Sequence, residues 1–147
     1  MTTLKSVTVP FLWPSRIRFA DTDASGRIHY SALFRHVEAA EMEFFRAIGK
    51  PFPDLLSMDV KFPRVHVEAD YLAALRSDDA IEIAVWVDRI GRASYTLAFE
   101  ITAHGTVAGR SKIVIACMDG ATQKSHPLPE DLVHLLKPYL TSRTPQT

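Results

Sequence analysis

From residue 64 onward the chain alternates. Val65, Val67, Ala69 and Tyr71 stand between Arg64, His66, Glu68 and Asp70, and Ile81, Ile83, Val85 and Val87 repeat the pattern. So do Ala93, Tyr95, Leu97, Phe99 and Ile101, set against Ser94, Thr96, Glu100 and Thr102. A period of two puts every apolar residue on one face of a strand. Residues 111–118 instead hold Ile113, Val114, Ile115, Ala116 and Cys117 without a break, as a strand covered on both faces does. Ile90-Gly91 and His104-Gly105 occupy hairpin positions between these runs.

Upstream, residues 16–20 read as a short strand with Ile17 and Phe19 on one face. Across residues 30–48 the period lengthens to that of a helix. At about 100° per residue, Leu33, Val37, Ala40, Phe44 and Ile48 fall on one stripe. Gly49 supplies the stop and Pro51 bars continuation. Pro129 opens a short last helix through Leu132, Leu135 and Leu136, limited by Pro138. The order predicts an α+β domain, an antiparallel sheet of about five strands curled around one long helix. A single helix covers one face of a sheet, so a partner subunit is expected on the other face or an edge.

The chain has 147 residues, which fits a single domain over 1–147, with a polar tail at 141–147 expected to fray. Its 47% hydrophobic and 10% aromatic content excludes disorder as the main state. Seventeen basic residues balance seventeen acidic ones, which argues against nucleic-acid binding through a broad basic surface. The lone Cys117 excludes an internal disulfide and suits a reducing compartment. No apolar run reaches the ~18–20 residues of a membrane span, and residues 1–10 lack the pattern of a signal peptide. A cytoplasmic protein without a membrane partner is therefore expected.

The densest polar cluster is Asp21-Thr22-Asp23-Ala24-Ser25-Gly26, directly before the long helix. As a turn it is ordinary. As a calcium loop it fails, because Ala32 stands where the bidentate Glu belongs and no helix enters it. As a catalytic carboxylate facing a helix amino end it has a clear chemistry. Unpartnered N–H groups there polarise a carbonyl oxygen, and a nearby Asp attacks the carbon or activates water.

His29 and His36, seven apart, share a helix face on this reading but lack a third ligand, so no metal is expected. Cys117 lies in an apolar run and reads as core rather than nucleophile. Glu41 falls about 80° from Leu33, inside the apolar stripe, and calls for a partner or a function. Arg89 and Arg92 beside Gly91 either solubilise a hairpin or grip a diphosphate.

The run Arg18-Phe19-Ala20-Asp21-Thr22-Asp23-Ala24-Ser25-Gly26-Arg27-Ile28-His29-Tyr30, with Leu33-Phe34 and Glu38-Ala39-Ala40 after it, resembles the signature of hotdog-fold acyl-CoA thioesterases. Within that family it is most like the 4-hydroxybenzoyl-CoA thioesterase type. The resemblance continues through Phe62-Pro63, Glu68-Ala69-Asp70-Tyr71, Asp78-Asp79 and Ile90-Gly91-Arg92-Ala93-Ser94-Tyr95, and spans residues 16–118. It implies a hotdog fold, a homodimer or a homotetramer built as a dimer of dimers, and active sites at the subunit interface.

It also implies an activity, hydrolysis of an acyl-CoA to the free acid and CoA without a cofactor. Asp23 matches the catalytic carboxylate, acting as nucleophile or general base. Tyr30 matches the position whose backbone amide, at the helix N-terminus, polarises the thioester carbonyl. His29 occupies a variable slot, and relatives with a functional His carry it one position later. Glu38 matches a helix carboxylate that faces the acyl pocket. Arg92 and Ser94, with Arg89 beside them, match a hairpin that contacts CoA phosphates. The acyl group that the resemblance implies is 4-hydroxybenzoyl or another aromatic or short-chain one. Phe62 stands where the hydroxybenzoyl enzyme has a small or polar residue, so a different acyl pocket is expected, shaped also by Phe44, Phe52 and Tyr71. Two rival readings are a hotdog dehydratase using His29 as base on a hydroxyacyl thioester, and a non-catalytic acyl-CoA-binding module.

Overall fold

The computed structural model describes residues 9–141. Five strands form one antiparallel sheet: β1 (Phe11–Arg16), β3 (Arg64–Tyr71), β4 (Ala80–Ile90), β5 (Ser94–Ala103) and β6 (Thr106–Ala116). Their spatial order is β1-β4-β5-β6-β3, so β1 and β3 are the edges. A small two-stranded sheet pairs β2 (Val60–Lys61) with β7 (Met118–Asp119). Helix α1 (Leu33–Ala47) lies across the main sheet, followed by α2 (Phe52–Leu56), and α3 (Glu130–Leu136) comes near the end.

The stripe on α1 does what its spacing dictates. Leu33, Val37, Ala40 and Phe44 are fully buried against Ile83, Val85 and Val87 of β4 and Leu97, Phe99 and Ile101 of β5. The Phe44 ring meets Phe11 of β1 edge-on, with centroids 5.9 Å apart, and Phe45 and Tyr139 also edge-on. Gly49 adopts φ +91, and Lys50 N–H returns to the carbonyl of Phe45 at 2.8 Å, closing the helix as predicted. Cys117 is buried, and that burial pushes its thiol pKa up. No described helix is long and apolar enough to cross a membrane.

Three expectations are corrected. The first strand runs Phe11–Arg16, not 16–20. Pro14 obscured it in the sequence, yet proline is tolerated on an edge strand. Beyond it, the Asp21 carboxylate accepts the Arg18 N–H at 2.8 Å and the chain winds into a 3-10 turn over Phe19–Asp21. Ile17 is therefore buried while Phe19 is 84% exposed, on different sides. The long helix starts at Leu33, not residue 30, because residues 29–32 form turns of their own. Finally, β6 starts at Thr106 and ends at Ala116, so Met118 belongs to β7 and not to the long run. The tail expected over 141–147 lies, except for Thr141, outside the described residues.

β3 has the predicted alternation without the predicted burial. Val65 is 60% exposed, and Val67, Tyr71 and the adjoining Leu72 are about half exposed. The strand bonds to β6 on one side only.

Candidate active site

The loop from Asp21 to Tyr30 is built by its own polar side chains. Asp23 Oδ1 accepts the Ser25 N–H at 2.8 Å and the Ser25 hydroxyl at 2.5 Å. Gly26 N–H bonds Asp23 O at 3.0 Å, and Asp23 N–H bonds Arg27 O at 2.9 Å. The turn requires φ +81 at Gly26, where an added Cβ meets nothing within 4 Å; conformation alone demands glycine there. The two hydrogen bonds from Ser25 hold the exposed Asp23 carboxyl below the usual carboxylate range.

Downstream, Ile28 N–H bonds Leu75 O at 2.8 Å and His29 N–H bonds Asp21 O at 2.7 Å. The next amide, that of Tyr30, donates to no acceptor among the described residues. It lies three residues ahead of Leu33, the first residue of α1, rather than within the helix. The Tyr30 carbonyl accepts the hydroxyl of Tyr71. Asp23 and Tyr30 border one open cleft of about 820 Å³, with Ile28, Tyr71 and Leu75 among its other walls. One wall of this cleft thus includes a residue with a carboxylate and a residue with an unpartnered amide, the two kinds of group that acyl transfer uses.

Asp21 anchors this loop from below. It is 5% exposed and receives Arg35 Nη2 at 2.9 Å and His36 Nε2 at 2.8 Å, besides the Arg18 amide. Burial pushes its carboxyl up, but the hydrogen bonds from Arg18, Arg35 and His36 prevail and hold it at about 2.

The other predicted site residues are dispersed. His29 stacks on the Tyr30 ring with centroids 4.4 Å apart, and its Nδ1 is taken up by the Ser31 hydroxyl at 2.8 Å. It precedes α1, so it shares no helix face with His36, and the paired-histidine arrangement does not form. Glu38 is exposed and lines a second cleft of about 790 Å³ with Phe34, Glu41, Phe52, Arg64 and Val67. Phe62 packs on Tyr95 and lines a third, of about 410 Å³, with Phe52, Leu55 and Arg64.

Arg89, Arg92 and Ser94 flank the turn between β4 and β5, with both arginines exposed. The Asp23 loop bonds Leu75, near the opposite end of β4. The ten steps from Ala80 to Ile90, at ~3.3 Å each, set the two ends of β4 about 30 Å apart. Within one chain the hairpin and the Asp23–Tyr30 pair do not form one site.

Sequence reasoning missed three partners. Glu41, only 2% exposed, is paired with Arg64 across the α1–β3 cleft, and Arg64 Nη1 also bonds Phe62 O at 2.8 Å. Burial pushes the Glu41 carboxyl up, Arg64 pulls against it, and Glu38 adds to the rise. The Tyr71–Tyr30 bond joins residues 41 apart, and nothing local announces it. The His36–Asp21 pair had one visible signal, a histidine next to Val37 at the edge of the apolar stripe.

Comparison with known proteins bears on this geometry. The family described as the thioesterase-like superfamily matches residues 17–136. A 1,4-dihydroxy-2-naphthoyl-CoA hydrolase of Prochlorococcus marinus (strain NATL2A) is 28% identical over 116 residues, covering 74% of this chain and 75% of its own length. The acyl-CoA thioester hydrolase YbgC of Escherichia coli O6:H1 is 27% identical over 127 residues, 86% of this chain and 95% of its own. Among solved structures, a 1,4-dihydroxy-2-naphthoyl-CoA thioesterase from Synechocystis superposes with a TM-score of 0.81 at 18% identity, covering 86% of this chain and 95% of that one. At that identity the likeness shows the fold alone, and the fold is the hotdog that the sequence resemblance implied.

Proposed function

This chain belongs to the thioesterase-like superfamily and is a thioester hydrolase; from that premise we propose that it cleaves an acyl-CoA into the free acid and CoA at the Asp23–Tyr30 cleft. The observation that carries this reading is the shared wall: Asp23, with its carboxyl held below the usual range, and Tyr30, whose amide has no partner among the described residues, line the same open cleft. In the proposed reaction the thioester oxygen accepts the Tyr30 N–H, with the positive end of α1 close behind it. Asp23 then attacks the carbonyl carbon and the C–S bond breaks. The CoA thiolate leaves and takes a proton, and water cleaves the mixed anhydride. The alternative is that Asp23 takes a proton from water, which attacks instead. The hydrogen bonds from Ser25 weaken Asp23 both as a base and as a nucleophile, so oxygen labelling distinguishes the two routes.

The acyl group, aromatic or short-chain, lies along α1 toward Glu38 in this reading. Phe34 and Glu41, on the same cleft, are seven residues and so about 10 Å apart along the axis. The CoA phosphates meet Arg89, Arg92 and Ser94 of a second copy of the chain, since the chain's own hairpin stands at the far end of β4. That copy joins at the exposed edge strand β3 to give a homodimer, or a homotetramer as a dimer of dimers. The lone Cys117 supports a reducing, cytoplasmic setting.

The test is a panel of acyl-CoAs followed by release of free thiol, with the Asp23→Asn variant alongside. The wild type should release CoA, and Asp23→Asn should lower kcat by at least ~10²-fold while KM changes little. Near-full activity in the variant removes Asp23 from the mechanism. Tight binding of acyl-CoA without thiol release replaces the hydrolase reading with a binding module. In heavy-oxygen water, a single turnover by the nucleophilic route, with water cleaving the anhydride at the Asp23 carboxyl, gives a first product with no label and leaves the label in Asp23, whereas the water route puts one labelled oxygen in that product.

A further inference from the structure

Neither the catalytic pair nor the hydrophobic core accounts for His36. The side chain is 8% exposed, on the first turn of α1, at the margin of a stripe that is otherwise apolar. Both ring nitrogens are used. Nε2 meets Asp21 Oδ2 at 2.8 Å and Nδ1 meets the Ser15 hydroxyl at 2.9 Å. Ser15 lies on β1, opposite Ile81 of β4. A line of polar contacts therefore runs from the sheet through Ser15 and His36 to Asp21. Asp21 and His36 are buried and Ser15 is half-buried. Burying polar side chains is costly unless each is satisfied, and here each is.

What Asp21 holds explains why such a line is useful. Its carboxylate is gripped by Arg18 N–H, Arg35 and His36, and its carbonyl accepts the His29 N–H at 2.7 Å. Asp23 is two residues further along the chain, and Tyr30 directly follows His29. One buried residue thus fastens both ends of the loop whose Asp23 and Tyr30 line the cleft. Neither His36 nor Ser15 is among the residues that line that cleft.

We infer that His36 is a positioning residue: through Asp21, and braced by Ser15, it holds the Asp23 carboxylate and the Tyr30 amide at the spacing the reaction needs. This rests on the hydrolase reading above. A misplacement of about 1 Å between reacting groups costs roughly 10²-fold in rate, so a loop exposed on its outer side gains from a fixed floor.

The experiment compares His36→Leu, which removes both contacts, with His36→Gln, whose amide N–H reaches about as far as Nε2 and keeps a donor for Asp21. Two readouts are taken: hydrogen exchange resolved by segment, and kcat and KM on whichever of benzoyl-, 4-hydroxybenzoyl- and hexanoyl-CoA the wild type hydrolyses. In His36→Leu, exchange should quicken over residues 22–31 while β4 and β5 keep their protection. The kcat should fall about 10- to 100-fold with KM within about twofold. His36→Gln should recover most of both. Unchanged loop exchange overturns the inference. Faster exchange throughout the sheet, with equal losses in both variants, also overturns it by making His36 merely structural.

If His36→Leu does not fold, Arg35→Gln removes another grip on Asp21 from the exposed side, and should shift loop exchange and kcat the same way by less. No change in either overturns the inference too. A wild type that turns over none of the three thioesters overturns the hydrolase reading instead, and the exchange data still judge the clamp by itself.

Discussion

Tyr71, the last residue of β3, donates its hydroxyl to the main-chain carbonyl of Tyr30. The bond ties an edge strand to the residue that bears the unpartnered amide. Partial burial pushes the Tyr71 phenol up, and Tyr30 adds to the rise, so the group stays a donor at neutral pH. At the other end of β3, Arg64 pairs with the buried Glu41. One strand therefore borders both the Asp23–Tyr30 cleft, through Tyr71, and the cleft lined by Glu38 and Glu41, through Arg64 and Val67.

Tyr71→Phe removes that bond and keeps the ring. A neutral hydrogen bond contributes about 1 kcal/mol, which corresponds to about fivefold in rate. A fall of that size in kcat/KM is expected, with little change in Tm. Unaltered kinetics would mean that the Tyr30 carbonyl needs no tether.

Ser25→Ala should move the acid limb of kcat upward. The ionised Asp23 is the active form, and Ser25 depresses its pKa, so activity persists on acidification until the pH falls through that lowered value. Without the hydroxyl the carboxyl rises toward its ordinary range, and activity is lost at a higher pH. The measurement is kcat followed downward from neutral pH in both proteins. Coincident limbs would detach Asp23 from the titration.

Arg92→Ala should raise KM for the acyl-CoA with little change in kcat, the mark of lost uniform binding. A truncated thioester lacking the nucleotide should be indifferent to the change. Equal losses on both substrates would make the arginine structural.

Arg64→Met strands Glu41 in the interior, and breaking such a pair costs about 3 kcal/mol. Burial already raises the folded-state pKa of Glu41, so its contribution to stability declines as pH rises from its unfolded value through its folded one. The deficit of Arg64→Met in urea unfolding should therefore be largest near neutrality and shrink in acid, where Glu41 takes a proton. The double variant Glu41→Leu/Arg64→Met should recover most of the loss, since apolar replacements of a buried pair are often neutral.

The protein should be an obligate homo-oligomer whose activity depends on that state. β3 carries exposed Val65 and Val67 on a strand paired along one side only, and an unblocked apolar edge invites a second strand. Light scattering coupled to size exclusion should show at least two chains, and Val65→Lys/Val67→Glu should reduce both mass and activity. A fully active species of one-chain mass would end this reading.

Hydrophobic period alone determined most of the scaffold. Leu33, Val37, Ala40 and Phe44 mark the buried face of α1, and Ile81 to Val87 mark β4, because a stripe at the helix period or an alternation at the strand period has few other ways to leave water. The Asp23–Ser25–Gly26 turn was legible too, since its bonds are made within four residues. The first strand was not, because Pro14 breaks its pattern and only the pairing with β4 restores it.

What tertiary structure decided are the contacts between residues distant in sequence. Asp21 with His36, Glu41 with Arg64 and Tyr30 with Tyr71 join residues 15, 23 and 41 apart. The partner of each is chosen by where the sheet places the far strand or helix, and no local propensity encodes that. The separation of the Arg92 hairpin from Asp23 has the same origin. Both lie near β4, and only the length of that strand, extended across the sheet, sets them at opposite ends.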